Sequence, residues 1–304
     1  MNTSPMRIDT SSASHDVPER KIPHLLNIDP ETFRTGFNRR PFTIRHQLAN
    51  HPLFTLPELA ALAQRLPAEA VRYHAGDIPV TQGLYGGPHN GLSVEETIRR
   101  IEECKSWMVL KWVERDPIYR EVVNQCLDEI QQFSEPLAPG MCVREGFIFI
   151  SSPSSLTPYH MDPEHNFLLQ VRGSKTVHMW DPEDRMVLSE EELEQFFASS
   201  GDHNLSYRDE YASKASKIEL SPGIGLQFPV TAPHYVQNGN EVSISFSVTF
   251  ETPAAIRRSI VYDFNSRLRR RGISPLPYGR SSLRDFGKFQ AYRVLSRARL
   301  LKSF

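Results

Sequence analysis

At 304 residues, 39% hydrophobic, 23% charged and with a formal net charge of −1, the chain is long enough for one large domain with additions and has an ordinary globular composition. No apolar run approaches the roughly 20 residues that cross a bilayer, and the polar start MNTSPMRIDTSSASHD lacks a signal-peptide core, so a membrane protein is excluded and a cytoplasmic location is expected. Cys104, Cys126 and Cys142 show no CxxC spacing and cannot all pair, which excludes a disulfide framework and suits buried thiols in a reducing compartment.

Residues 1–22 are polar and are expected to be disordered, with ordered sequence from near Ile22. Residues 23–142 mix helices and strands and are expected to pack on a later barrel. Thr55-Leu-Pro-Glu58 and Ser93-Val-Glu-Glu96 are capping-box patterns ahead of LAALAQRL and TIRRIEEC. Asp116-Pro117 supplies an N-cap and a first-turn proline for IYREVVNQCLDEIQQF. Between them SWMVLKWV reads as a buried strand. The stretch GLYGGPHNG, with Tyr73 and Tyr85, reads as a surface turn, with a loop over the barrel mouth as the alternative.

From 143 to 252 the period becomes strand-like. GFIFIS, NFLLQVR, KTVHMW, GIGLQF and VSISFSVTF are short runs separated by Gly, Pro, Ser and Asn, interrupted by one helix capped at Ser189-Glu-Glu-Glu192. This pattern predicts a mainly β fold with flanking helices and a closed sandwich or jelly-roll core. Asn238-Gly239 is expected to turn the last strand back alongside His234. Residues 253–304 return to a helical period, with Ile256, Ile260, Phe264 and Leu268 spaced by four, a stop at Gly272 and a second helix from Ser282. Arg257 to Lys302 holds 13 Lys+Arg against Asp263 and Asp285. Its basic residues are interleaved with Ile, Phe, Leu and Tyr. That favours helices packing on the barrel or forming a homodimer over contact with nucleic acid.

The chemistry concentrates in LTPYHMDPEHNFLLQVRGSK, residues 156–175. His160 and Asp162 are two apart, so on an extended segment both point the same way. An imidazole and a carboxylate converging on one point are half of a facial triad for Fe(II), and a second His completes it while leaving open positions. By itself HxD fits a surface or core histidine equally well. Pro233-His234, after the strand GIGLQFPV, offers the second His. Lys175 opens a strand inside the expected barrel, where an ammonium needs an anionic partner. The distal carboxylate of 2-oxoglutarate fits that need, and a solvent-facing strand lysine is the plainer alternative. Thr157 offers a hydroxyl to the same carboxylate.

The segment Thr157-Pro158-x-His160-x-Asp162-x-x-x-Asn166-Phe167-x-x-Gln170-x-x-Gly173-x-Lys175 resembles the core motif of JmjC/cupin-like Fe(II)/2-oxoglutarate-dependent oxygenases. It is especially similar to the branch containing the asparaginyl hydroxylase that acts on hypoxia-inducible factor. Phe228-Pro229-x-x-x-Pro233-His234-x-Val236 resembles that branch's distal-histidine strand. The resemblance spans about residues 145–252. It implies a double-stranded β-helix with Fe(II) held by His160, Asp162 and His234, and 2-oxoglutarate as co-substrate on Lys175 and Thr157. It also implies a role for Asn166 near the co-substrate or behind a ligand, and a polar co-substrate contact from Ser245 or Ser247, according to strand register. The implied reaction hydroxylates a C–H of a protein side chain or a small molecule, releasing succinate and CO2. The alternatives are a 2-oxoglutarate-independent cupin metalloenzyme and a non-catalytic JmjC-like regulator binding partners or nucleic acid. His165 and His178 read as structural histidines, and His74, His89 and His203 receive no role.

Overall fold

The alternation that begins near Gly146 becomes strands because each run places apolar side chains on at least one buried face. The computed structural model describes residues 24–84, 87–199 and 205–298. The expected disorder of residues 1–22, Tyr85 and His203 lie outside these. In chain order the elements are β1 (Leu26–Asn27), α1 (Pro30–Gly36), β2 (Phe42–His46), α2 (Leu56–Arg65), β3 (Val71–Ala75), α3 (Val94–Arg99), β4 (Ser106–Lys111), α4 (Pro117–Ser134), β5 (Cys142–Ser151), β6 (Leu156–His160), β7 (His165–Arg172), β8 (Lys175–Met179), α5 (Glu190–Ala198), β9 (Ser216–Leu220), β10 (Ile224–Phe228), β11 (His234–Asn238), β12 (Ser243–Glu251), α6 (Pro253–Arg270) and α7 (Ser282–Arg297).

The strands form two antiparallel sheets. One has eight strands in the order β1-β2-β10-β7-β12-β5-β4-β3, the other four in the order β6-β11-β8-β9. From β5 onward the chain passes repeatedly between the two sheets, which gives a mainly β, cupin-like jelly roll with flanking helices. Residues 24–142 are woven into this core as well as packed on it. β1 and β2 extend one edge of the large sheet and β4 and β3 the other, while α1, α2 and α4 cover its outer face.

Strand β12 shows how the core is divided. Ile244, Phe246, Val248 and Phe250 are fully buried in one cluster with Phe33, Leu62, Val123 and Leu127 of the covering helices. Each such side chain contributes about 2 kcal/mol by leaving water. The alternate residues Ser243, Ser245, Ser247 and Thr249 are buried on the opposite, barrel-interior face. A smaller cluster of Leu168, Val177, Met179, Leu226, Phe228 and Val236 fills the barrel interior.

The turn expected at Asn238-Gly239 is a correction. β12 does not lie beside β11, because β11 is already paired on both edges, by β6 and by β8. β12 instead pairs with β5 and β7 in the other sheet. Gly239 is not among the positive-φ glycines, as a type I′ turn there requires. It donates from its N–H to Ser174 O at 2.8 Å, and Asn238 Nδ2 bonds Ser155 O at 3.0 Å.

Ser93 and Ser189 form complete capping boxes, and Asp116 caps α4 through Ile118 N and Tyr119 N. Thr55 precedes α2 without a side-chain cap bond. Gly272 (φ +77°) follows the end of α6, and Ser281 caps α7. Several basic residues of this segment are engaged internally. Arg269 pairs with Glu194 and, at 2.9 Å, Glu191, and Arg267 Nε meets Asp263 at 2.8 Å. Among the described residues no helix is long and apolar enough to cross a membrane.

Candidate active site

His160 ends β6, and His234 begins β11 directly opposite it in register, so strand pairing alone brings the two imidazoles together. Their ring centroids lie 4.2 Å apart. Asp162, two residues past His160, reaches both. Its Oδ1 is 3.8 Å from His160 Nε2 and its Oδ2 is 3.9 Å from His234 Nε2. The three donor atoms lie within 4.8 Å of one another, spacing suited to a single metal ion.

Each ring is oriented from behind. His160 Nδ1 lies 2.6 Å from Pro158 O, and His234 Nδ1 lies 2.9 Å from Ala232 O. Carbonyls only accept, so both Nδ1 atoms carry the proton and both Nε2 lone pairs face the shared point. Burial, reinforced by His160 and opposed by Asp162, pushes His234 down to about 4, which keeps it neutral and able to ligate at neutral pH. Asp162 is steadied by a relay from β12. The Ser247 hydroxyl donates to Asn166 Oδ1, and Asn166 Nδ2 donates to Asp162 Oδ2 at 2.9 Å. Thr231 N–H also holds the Asp162 carbonyl at 2.9 Å.

The cluster opens onto a cavity of 420 Å³ whose lining includes Thr157, Leu168, Lys175, Phe228, Val236 and Ser247. Lys175 is only 6% exposed, and among the described residues its ammonium has no carboxylate partner. Burial lowers it to about 7. Trp107 Nε1 donates to Thr157 Oγ1 at 3.0 Å. Because the indole can only donate, the Thr157 hydroxyl is left with its own proton to give, on the lining of the same cavity.

Of the sequence-derived positions, the structure brings His160, Asp162, His234, Lys175, Thr157, Asn166 and Ser247 to one cavity. Of the two serines left open by register, Ser247 lines the cavity, and the Ser245 hydroxyl, one rung deeper, donates to Gln170 Oε1 at 2.6 Å. His165 is stacked between Phe37 and Phe250, at 5.0 and 4.8 Å, a packing role. His178 points to the other face of β8 from Lys175 and stacks on Tyr235 at 4.3 Å. His74 stacks on Trp107 at 4.9 Å, and His89 meets the edge of Tyr73 at 4.9 Å. Trp107 was not anticipated. Its strand was legible, but its bond to Thr157 spans 50 residues and depends on sheet pairing.

The family model for the Cupin-like domain matches residues 100–255. Lysine-specific demethylase 8 of Danio rerio is 25% identical over 151 residues, which cover 45% of this chain and only 36% of that protein. Among solved structures, Escherichia coli YcfD aligns over 88% of this chain and 67% of its own, with a TM-score of 0.53 and 16% identity. A second structure of YcfD, described as a ribosomal oxygenase in complex with cobalt and 2-oxoglutarate, aligns with a TM-score of 0.52 and 14% identity, covering 90% and 67%.

Proposed function

Since the chain belongs to the cupin-like domain family, we propose that it is an Fe(II)- and 2-oxoglutarate-dependent oxygenase that hydroxylates a C–H of a protein or peptide side chain or a small molecule. His160, Asp162 and His234 hold the metal, and Lys175 and Thr157 hold the distal carboxylate of the co-substrate. The observation that carries this reading is a buried ammonium, without an acidic partner among the described residues, in the same cavity as a His-Asp-His cluster. Fe(II) and 2-oxoglutarate, when bound, supply an oxidant for C–H hydroxylation, with succinate and CO2 as by-products.

The chain's own contribution is placement. Pro158 and Ala232 carbonyls fix both imidazoles, and the Ser247–Asn166 relay fixes which Asp162 oxygen faces which ring. Leu168, Phe228 and Val236 give the cavity that Lys175 lines an apolar surface, which strengthens the attraction between the ammonium and an anion. The E. coli relative described with cobalt and 2-oxoglutarate supports the same pairing of metal and co-substrate here. The motif's likeness to the asparaginyl hydroxylase branch supports hydroxylation of a side chain. A 2-oxoglutarate-independent metalloenzyme has no use for the Lys175 and Thr157 pair, and a non-catalytic regulator has no use for the oriented triad.

Anaerobic titration with Fe(II) and 2-oxoglutarate tests this. The weak visible charge-transfer band of the chelate is expected in the wild type and absent in His160→Ala. No band, together with no succinate in air, would sink the reading. Asn166→Ala frees the Asp162 carboxylate to rotate and is expected to weaken metal binding or turnover by roughly 10–100-fold, read by Fe(II) titration. Unchanged affinity and turnover would reduce Asn166 to a packing residue.

A further inference from the structure

His74 stands in β3, an edge strand of the large sheet, directly opposite Trp107 of β4. Residues opposite one another in an antiparallel pair meet side by side. Here the imidazole lies flat on the indole, with 4.9 Å between centroids and 19° between planes. Phe149 of β5, the strand on the other side of β4, meets the same indole at 6.0 Å. The torsion that turns an indole has broad wells, so a buried tryptophan holds its N–H in one direction only where neighbouring rings fix its plane. That N–H goes to Thr157 Oγ1 at 3.0 Å.

The imidazole is itself held. His74 is 3% exposed, with Nδ1 2.6 Å from Ala75 O and Nε2 3.2 Å from Leu84 O. Both carbonyls only accept, so whichever ring nitrogen carries the proton has a partner. Leu84 lines the cavity. The segment leading to it runs along β6, an edge strand of the small sheet, where Leu156 N bonds Gly76 O and Tyr159 N bonds Val80 O, both at 3.0 Å. Gly87 packs against the same ring, and a Cβ there would come within 2.5 Å of His74 Nδ1. The histidine therefore sits where an edge of each sheet and the segment between them meet. His165 is the contrast. It is equally buried, but its stack joins Phe37 and Phe250 in the apolar core. The His74 stack continues through a hydrogen bond to a hydroxyl on the cavity lining.

We propose that His74 is a positioning residue for the co-substrate: it braces the Trp107 indole, which keeps the Thr157 hydroxyl turned toward the distal carboxylate of 2-oxoglutarate. This deepens the oxygenase reading and rests on it. The effect runs through orientation. The bond that Thr157 accepts from the indole restricts the directions in which it can give its own proton, and an indole free to rotate frees the hydroxyl with it. Lys175 stands outside this chain of contacts. Removing His74 should therefore cost one oriented hydrogen bond to the anion and leave the ammonium in place.

The test is a double-mutant cycle read by anaerobic titration of the chelate band with 2-oxoglutarate. The dissociation constant should weaken about 10-fold in His74→Leu, which fills the space with neither a flat face nor a donor, and about 10-fold in Thr157→Val. The double variant should lie within about 3-fold of Thr157→Val, because the two residues act in series. In turnover without added substrate, the His74→Leu KM for 2-oxoglutarate should rise while succinate formation at saturation stays within about 3-fold of wild type. A further readout needs neither metal nor co-substrate. Deuterium exchange at the Trp107 indole N–H, assigned by NMR through Trp107→Phe, should be at least about 10-fold faster in His74→Leu. Thermal melting is the fold control, and His74→Asn, equally without a stacking ring, carries the same expectations if His74→Leu does not fold. Unchanged affinity in the folded His74 variant or in Thr157→Val would overturn the proposal, as would losses that multiply to about 100-fold in the double variant. No chelate band in the wild type would instead overturn the oxygenase reading, and the indole exchange would still show whether His74 braces Trp107.

Discussion

Succinate formation by His234→Ala is expected to fall by about 1,000-fold, some 4 kcal/mol of transition-state stabilisation, with loss of stoichiometric iron. His234 is 3% exposed and stands in register with His160. Removing it leaves one imidazole and one carboxylate, a pair that also occurs on surfaces that bind nothing. His165→Leu provides the contrast. His165 is equally buried, but its ring is sandwiched by Phe37 and Phe250 and its Nδ1 has no partner among the described residues. Its replacement is expected to alter stability with little change in iron content. Metal analysis after dialysis and succinate yield check both. Full iron occupancy and more than a tenth of wild-type turnover in His234→Ala would remove that residue from the proposed ligand set.

The difference between His165 and His234 marks where the sequence stops being readable. His160 and Asp162 are legible because two-residue spacing on an extended segment is a local rule. Lys175 is legible because an ammonium opening a barrel strand conflicts with its surroundings unless something anionic meets it. His234 needs more, since its place opposite His160 depends on β6 and β11 pairing across 74 residues, and its strand context only hints at that. The Asn238-Gly239 turn misled for the same reason. A local hairpin signal was overruled because β11 had both edges occupied, a fact of topology. Strand β12 carried a signal that was open to a fuller reading. In SISFSVTFE the small polar residues and the large apolar ones alternate without a break, which marks a strand buried on both faces with its polar side turned inward. Following that face outward from Ser247 reaches Thr249 and Glu251, which line the same cavity. Which residues of β5 and β7 stand across from them was not readable, because register between distant strands is set by the whole sheet.

Replacing Lys175 with Met is expected to produce two opposite results in one variant. Without ligand, the buried lysine is a liability: its pKa is pulled from the usual 10.5 to about 7 by burial. Between those values the unfolded chain holds a proton that the folded protein does not, so the wild type gains stability as pH rises through that window. Below about 7 both states are protonated and the full cost of a buried charge remains. Methionine of similar length has no such cost, so the variant should be more stable by an amount on the order of 2 kcal/mol near pH 6, and the gap should close toward pH 10. Co-substrate binding should move the other way. Loss of a buried charged partner costs about 3 kcal/mol, so the KM for 2-oxoglutarate should rise roughly 100-fold. In the wild type that KM should also climb as pH rises above about 7, because the neutral amine must take up a proton to meet the anion, whereas the Met variant should lack this slope. Denaturant melts at pH 6 and 9, with succinate kinetics at the same pH values, read all four quantities. A variant that gains no stability at pH 6 would contradict the buried, unpaired ammonium itself. One that gains stability and keeps its KM would leave the lysine buried but place the co-substrate elsewhere.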